Sequence, residues 1–174
     1  MKTIAIILSL FLLINIANGQ REDSSYQLPY NSVNIELCGN SYLYGSLNYE
    51  RIVFHHNDIY LSGRLGIGYI YFYNAIVFST PILFNFIYHV HKVVSLEGGV
   101  GTTLFFQDTK DPADAGIDPV LTGNIGLRLQ WKKGFCLRIG FVPYYDFLVK
   151  GPNFFSTQFV PWGGLSLGYS FGKK

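Results

Sequence analysis

The chain has 174 residues, with 13 Lys and Arg against 11 Asp and Glu, and a formal net charge of +2 at pH 7. Only 14% of it is charged and 49% is hydrophobic, where soluble domains carry about 25% charge. The dispersed basic residues form no stripe for nucleic acid, and 13 Tyr, 15 Phe and 19 Gly are a strand-and-turn composition rather than a helical one.

Residues 1–19 read as a secretory signal. Lys2 gives the positive start, Ile4 to Ile16 the apolar run, and Ala17-Asn18-Gly19 the small residues before a cleavage point. The run is too short to span about 30 Å of hydrocarbon, and no stop-transfer charge follows it. No other stretch is an apolar run of helix-spanning length. Residues 20–31 are polar and read as a flexible leader in the periplasm, followed by one domain over 32–174.

That domain alternates at period 2. Val33 to Cys38 sets Val33, Ile35 and Leu37 against Asn34, Glu36 and Cys38, and Gly39-Asn40-Ser41 turns the chain. Leu43 to Phe54 follows, then a turn at His55–Asp58, then Ile59 to Tyr69 with Leu65, Ile67 and Tyr69 opposite Arg64, Gly66 and Gly68. A short aromatic loop at Tyr71–Ala75 leads to Phe78 to Tyr88, and a turn at His89–Lys92 to Val93 to Phe106. Gln107–Asp118 is polar, contains Pro112 and is expected to be loop throughout. Val120 to Trp131 turns at Lys132-Lys133-Gly134 into Phe135 to Phe147, and a loop at Val149–Ser156 precedes the last strand.

The last strand decides which face meets what. From Leu165 the odd positions are Leu165, Leu167, Tyr169 and Phe171, and the even ones Gly164, Ser166, Gly168 and Ser170. A soluble sheet dresses its second face with charge. A face of glycine and serine suits a crowded lumen, with lipid on the other side. The alternation therefore predicts an all-β fold, an eight-stranded antiparallel transmembrane up-and-down barrel. The expected short turns lie at one end and the longer loops at the other, as in such barrels. Gly39–Ser41 is the exception, being short on the long-loop side. The segment also resembles the C-terminal strand signal of bacterial outer-membrane proteins through Gly164, Leu167, Tyr169 and Phe171, although Gly172-Lys173-Lys174 follows where many such proteins stop. That resemblance implies recognition by the barrel-assembly machinery.

Aromatics near strand ends are expected to form interface girdles. Phe54, Trp131, Phe135 and Phe171 mark one level. Tyr69, Tyr71, Phe72, Tyr73, Phe78, Phe106, Phe141, Tyr144, Tyr145, Phe159 and Trp162 mark the other.

Six charges fall on inward positions, Glu36, Glu50, Arg64, Glu97, Arg128 and Arg138. Eight strands enclose a bore that side chains fill, so opposed charges are expected to pair as a structural ion network rather than line a pore. Cys38 and Cys136 fall at opposite ends and are expected as two buried thiols, with no metal spacing. His55, His56, His89 and His91 read as polar turn residues lacking further ligands. Outer-membrane lipid A deacylases and palmitoyltransferases are small barrels too. Here no His lies two residues before a Ser, and residues 20–31 have no periodicity for an amphipathic helix.

Ser46-Leu47-Asn48-Tyr49-Glu50-Arg51, Arg64-Leu65-Gly66-Ile67-Gly68-Tyr69, Leu96-Glu97-Gly98-Gly99-Val100-Gly101 and Pro161 through Phe171 resemble a family of small outer-membrane β-barrel proteins of Bacteroidota, of OmpA/OmpX-like build. The resemblance implies fold and location, and no activity, cofactor or site residue. The expectation is an exported barrel in the outer membrane of a Gram-negative bacterium, with a structural or surface-contact role and no catalysis. Its partners would be outer-membrane lipids, the assembly machinery, and an extracellular contact through Gln107–Asp118. A narrow passive channel, a lipid A-modifying enzyme and a soluble barrel for an apolar ligand are the alternatives.

Overall fold

The computed structural model describes residues 27–42, 45–72, 75–108, 116–146 and 159–172. The signal of residues 1–19, the leader residues 20–26, the stretch Val149–Ser156 and the terminal Lys173-Lys174 lie outside the described residues. Eight strands are formed: β1 Asn31–Leu37, β2 Ser46–His56, β3 Ile59–Phe72, β4 Ala75–His91, β5 Val94–Asp108, β6 Gly116–Gln130, β7 Phe135–Tyr145 and β8 Phe159–Phe171. Each pairs antiparallel with its neighbours in chain order, and β1 pairs with β8, closing the ring.

The period-2 alternation sorts the two faces. Ile35, Leu65, Ile67, Phe84, Val100, Ile125, Ile139, Leu167 and Tyr169 are all exposed on the outside. Ser32, Asn34, Ser62, Asn85, Ser95, Thr103 and Ser170 are buried inside. So continuous an apolar exterior far exceeds the patches that soluble monomers expose. Arg51 is an outward charge, level in the register with Asn31 and, beyond it, Phe171. A β-bulge between Ile52 and Phe54 shifts the parity of β2, so Ile52 faces in while Val53 and Phe54 both face out.

The end bearing Asn57–Asp58, Lys92–Val93 and Trp131–Gly134 is the lower mouth. Left-handed backbone at Asn57 (φ 52°) and Gly134 (φ 96°) tightens two of these turns. Strand pairing runs further than the sequence suggests. His55, His56 and His89–His91 are strand rather than turn, and so are Tyr71, Phe72 and Ala75 of the expected Tyr71–Ala75 loop. Gln107–Asp118 is not loop throughout, because Gln107 pairs with Gly116 and Phe105 with Asp118. Cross-strand hydrogen bonds satisfy these polar backbones whatever the side chains prefer.

The expected leader also ends early. Asn31 belongs to β1, and Leu28 is buried in a cluster with Ile52, Tyr60 and Ile87, against which Tyr30 packs. Backbone bonds hold this segment, since Tyr30 donates to Gly172 at 3.0 Å and Ile52 donates to Tyr30 at 2.8 Å.

The upper mouth is closed by a second cluster, Val77, Phe105, Val120, Val142 and Tyr144, with Tyr42, Val160 and Trp162 packed on it. Two of the expected girdle aromatics, Tyr144 and Trp162, therefore face inward. Tyr144 is completely buried, and Trp162 lies 4.8 Å from the ring of Tyr42. Tyr69, Phe78, Phe141, Tyr145 and Phe159 remain exposed outside, while Phe106 is only half-buried. The side chains of Tyr71 and Phe72, and all of Tyr73, are outside the described set.

The short connection after β1 folds into the bore instead of out into solvent. Left-handed residues Cys38 (φ 52°) and Tyr42 (φ 65°) redirect it. Asn40 is buried across the lumen, where Thr103 Oγ1 donates to its carbonyl at 2.8 Å and Thr122 Oγ1 to its side chain at 3.0 Å. The Tyr144 hydroxyl donates to the Gly39 carbonyl and accepts from the Tyr42 N–H at 2.8 Å. Tyr144→Phe removes both of these bonds, leaving the turn only its own Tyr42 N–H to Gly39 carbonyl bond at 2.9 Å, and should lower stability by about 1–3 kcal/mol, read as an earlier urea midpoint of the folded species. An unchanged midpoint would place the turn outside the bore.

Candidate functional site: the charged lumen

Between the two apolar clusters the bore is polar. The inward faces of β1, β2, β3, β5, β6 and β7 each deliver one charged residue to it: Glu36, Glu50, Arg64, Glu97, Arg128 and Arg138. All six are buried. Small inward neighbours make room, because Gly66, Gly68, Gly99, Gly126, Gly140 and Gly168 occupy the positions that long side chains would otherwise crowd.

Glu50 is the hub. Arg128 reaches its Oε2 at 2.9 Å and Arg138 contacts the same oxygen. Ser62 Oγ donates to Oε1 at 2.6 Å, Asn85 to Oε1 at 3.3 Å and Ser32 to Oε2 at 3.1 Å. Glu97 pairs with Arg64, accepts from Asn124 at 3.0 Å, and lies 3.3 Å from Arg138 Nε. Glu36 stands nearer the upper mouth. Its closest cation is Arg64 at 3.9 Å, and its oxygens accept from the Asn40 backbone at 3.1 Å and side chain at 3.2 Å. Ser46 at 3.3 Å and Asn48 at 3.4 Å complete it. Glu36 thus fastens the inserted turn, while Glu50 and Glu97 hold the three guanidiniums. Below them Arg128 donates to Gln130 at 3.3 Å, and Gln130 also accepts from Ser170 at 3.0 Å.

The network leaves little free space. A cavity of about 30 Å³ adjoins Arg64, Glu97, Asn124, Arg138 and Ser166, beside the bare wall of Gly126, Gly140 and Gly164. That volume suits about two waters. Arg138 Nη1, Ser166 Oγ and Asn124 Oδ1 have no protein hydrogen-bond partner, which is the chemistry a bridging water satisfies.

Two expectations need correction here. The histidines are not all turn residues: His89 is buried inside, and its Nδ1 lies 3.0 Å from Ser95 Oγ. No spacing within one strand signals this pair, because His89 and Ser95 meet as partners across β4 and β5. The contact has the reach of a base and nucleophile, yet Ser95 is fully buried and neither residue lines the lumen cavity. His55 instead stacks on Tyr60 at 4.3 Å between ring centroids. The thiols differ as well. Cys136 is buried, but Cys38 is exposed, because its positive φ turns it out of the alternation. Among the described residues no group of three or more His, Cys, Asp or Glu side chains is placed to hold a metal.

The residues of the expected C-terminal signal split between the faces. Leu167, Tyr169 and Phe171 project outward from β8, and Gly164 faces the cavity.

A closed eight-stranded ring, an apolar exterior and a charged, filled bore are what a lipid-embedded barrel needs. Among solved structures, the attachment invasion locus protein Ail of Yersinia pestis superposes with a TM-score of 0.52 at 12% identity, covering 82% of this chain and 93% of that one. The fold is that of the eight-stranded outer-membrane barrels. Neisserial surface protein A gives a TM-score of 0.48 at 12% identity, covering 81% of this chain and 93% of its own. The outer membrane enzyme PagL gives 0.48 at 13% identity, covering 80% and 99%. No protein-family model matches the sequence, and a search of curated proteins finds no relative.

Proposed function

We propose that the protein resides in the outer membrane of a Gram-negative bacterium, exported by residues 1–19, and serves there as a structural or surface-contact barrel without catalysis. The filled lumen carries this reading. An apolar cluster closes each mouth, and between them three carboxylates neutralise three guanidiniums around a cavity of about 30 Å³. Among the described residues, that packing supports a filled bore rather than a path for solute.

The orientation follows from the connections. The lower mouth, with its short turns, the start of β1 and the end of β8, faces the periplasm, and the upper mouth faces out. β5 and β6 have 15 residues each, where about 9–11 suffice to cross the hydrocarbon. Their upper ends therefore stand clear of the hydrocarbon, which supports the Gln107–Asp118 stretch as the contact surface. The outward Leu167, Tyr169 and Phe171 of β8 suit recognition by the barrel-assembly machinery, and the glycine-rich motifs around Arg64, Glu97 and Trp162 support kinship with the small Bacteroidota barrels.

Single-channel recording in planar bilayers tests the role. The purified barrel should give no conductance above that of the lipid alone, and the lipid A acyl pattern should be the same in cells with and without the protein. Steady conductance would replace this reading with a channel, and an altered acyl pattern with an enzyme.

A further inference from the structure

Outside the lumen, one feature of the lower mouth stands apart from barrel closure. A surface groove of about 640 Å³ runs between the β4–β5 and β6–β7 turns, lined by Lys92, Val93, Trp131, Lys132, Lys133 and Phe135. The two turns are tied together, since Gln130 donates its N–H to the Val93 carbonyl at 2.7 Å. Trp131 and Phe135 pack against each other with ring centroids 5.2 Å apart, and both are exposed. The three lysines are exposed around them, and no carboxylate lines the groove.

We infer that this groove is a binding site for an anionic phospholipid of the leaflet at the lower mouth, the phosphate between Lys92, Lys132 and Lys133 and the upper acyl chain on Trp131 and Phe135. The inference rests on the membrane-spanning reading above. An indole at the membrane–water boundary presents an apolar body to the chains and its N–H to the headgroups. Lysines beside it keep their ammonium groups in the headgroup layer. A cluster of one sign favours an anionic headgroup over a zwitterionic one. Charge complementarity thus names the occupant: a lipid with net negative charge.

The chain has 2 Trp, and Trp162 is packed inside the bore, so Trp131 is a reporter at the site itself. In a Trp162→Phe variant reconstituted in bilayers, Trp131 emission is titrated with brominated phosphatidylglycerol or brominated phosphatidylcholine. The expected result is half-quenching at about a ten-fold lower mole fraction of the anionic lipid. Lys92→Gln/Lys132→Gln/Lys133→Gln should abolish the difference. Equal quenching by the two lipids, or a preference unchanged in the triple variant, would overturn the headgroup site and leave the spanning barrel intact. No quenching by either lipid would sink the spanning reading itself. Native mass spectrometry of the unsubstituted barrel, counting retained phosphatidylglycerol against phosphatidylcholine adducts with and without the lysine substitutions, makes the same comparison should Trp162→Phe not fold.

Discussion

Glu50→Ala is expected to cost about 3–5 kcal/mol of folding free energy. The carboxylate is fully buried and stands between Arg128 and Arg138, with Ser32, Ser62 and Asn85 on its remaining lone-pair directions. Its removal leaves two buried guanidiniums without the carboxylate nearest them. Nearby Glu97, whose Oε2 lies 3.7 Å from Arg128 and 3.3 Å from Arg138 while its other oxygen holds Arg64, would then have to balance three guanidiniums with one charge. Set against total stabilities of about 5–15 kcal/mol, such a loss is decisive. Urea titration of the folded barrel, followed by the difference in migration between unboiled and boiled samples, measures it. Arg138→Ala should also destabilise strongly, and the double variant should lose less than the sum of the two, because residues in one network couple. A Glu50→Ala barrel with the urea midpoint of the parent would mean that the carboxylate is not paired in the lumen.

A second substitution should have an all-or-none outcome. Gly126→Val is expected to abolish folding. Gly126 and Gly140 are register partners of β6 and β7, and a Cβ at Gly126 would stand 2.6 Å from the Gly140 Cα and press on the Ile139 carbonyl. Those atoms are backbone, so no rotamer relieves the clash, and the two strands must separate. Within lipid, separated strands expose backbone groups that nothing else can satisfy. Gly63→Ala is the control, since a Cβ there meets nothing within 4 Å. The folded fraction on unboiled gels should fall to background for Gly126→Val and stay at the parental value for Gly63→Ala. Parental folding of the valine variant would show that β6 and β7 do not approach as closely as described.

The faces of the strands were legible in the sequence because a strand has one simple period and this one separates large apolar residues from Gly, Ser and Asn. Leu165, Leu167, Tyr169 and Phe171 against Gly164, Ser166, Gly168 and Ser170 needed no further information to be sorted. Strand ends were less legible. Gln107, Asp108, Gly116 and Asp118 look like loop by side chain, but their backbones are claimed by pairing between β5 and β6, which acts across residues distant in sequence. Nearness to a strand end alone does not place Tyr144 and Trp162. Tyr144 and Tyr145 are adjacent in β7, so alternation already required one of them to face inward. The inserted turn had no signal at all. Gly39-Asn40-Ser41 has the same composition whether it bonds to water or to Thr103 and Thr122. The His89–Ser95 contact was hidden for a related reason, because register between strands, not spacing along one, decides who meets.

The bond from Tyr30 to Gly172 at 3.0 Å has a wider meaning. It brings the two ends of the barrel's backbone together, and a ring of consecutive antiparallel neighbours has no first strand of its own. Splicing those ends and cutting between Asn57 and Asp58 would keep all eight pairings while making β2 the last strand. Such a circularly permuted chain would finish at Phe54-His55-His56-Asn57, and β8 with its outward Leu167, Tyr169 and Phe171 would become internal. Architecture and address are therefore separable in this protein. The first belongs to the circle of pairings and is indifferent to where the chain is cut, whereas any address written in β8 depends on that strand coming last.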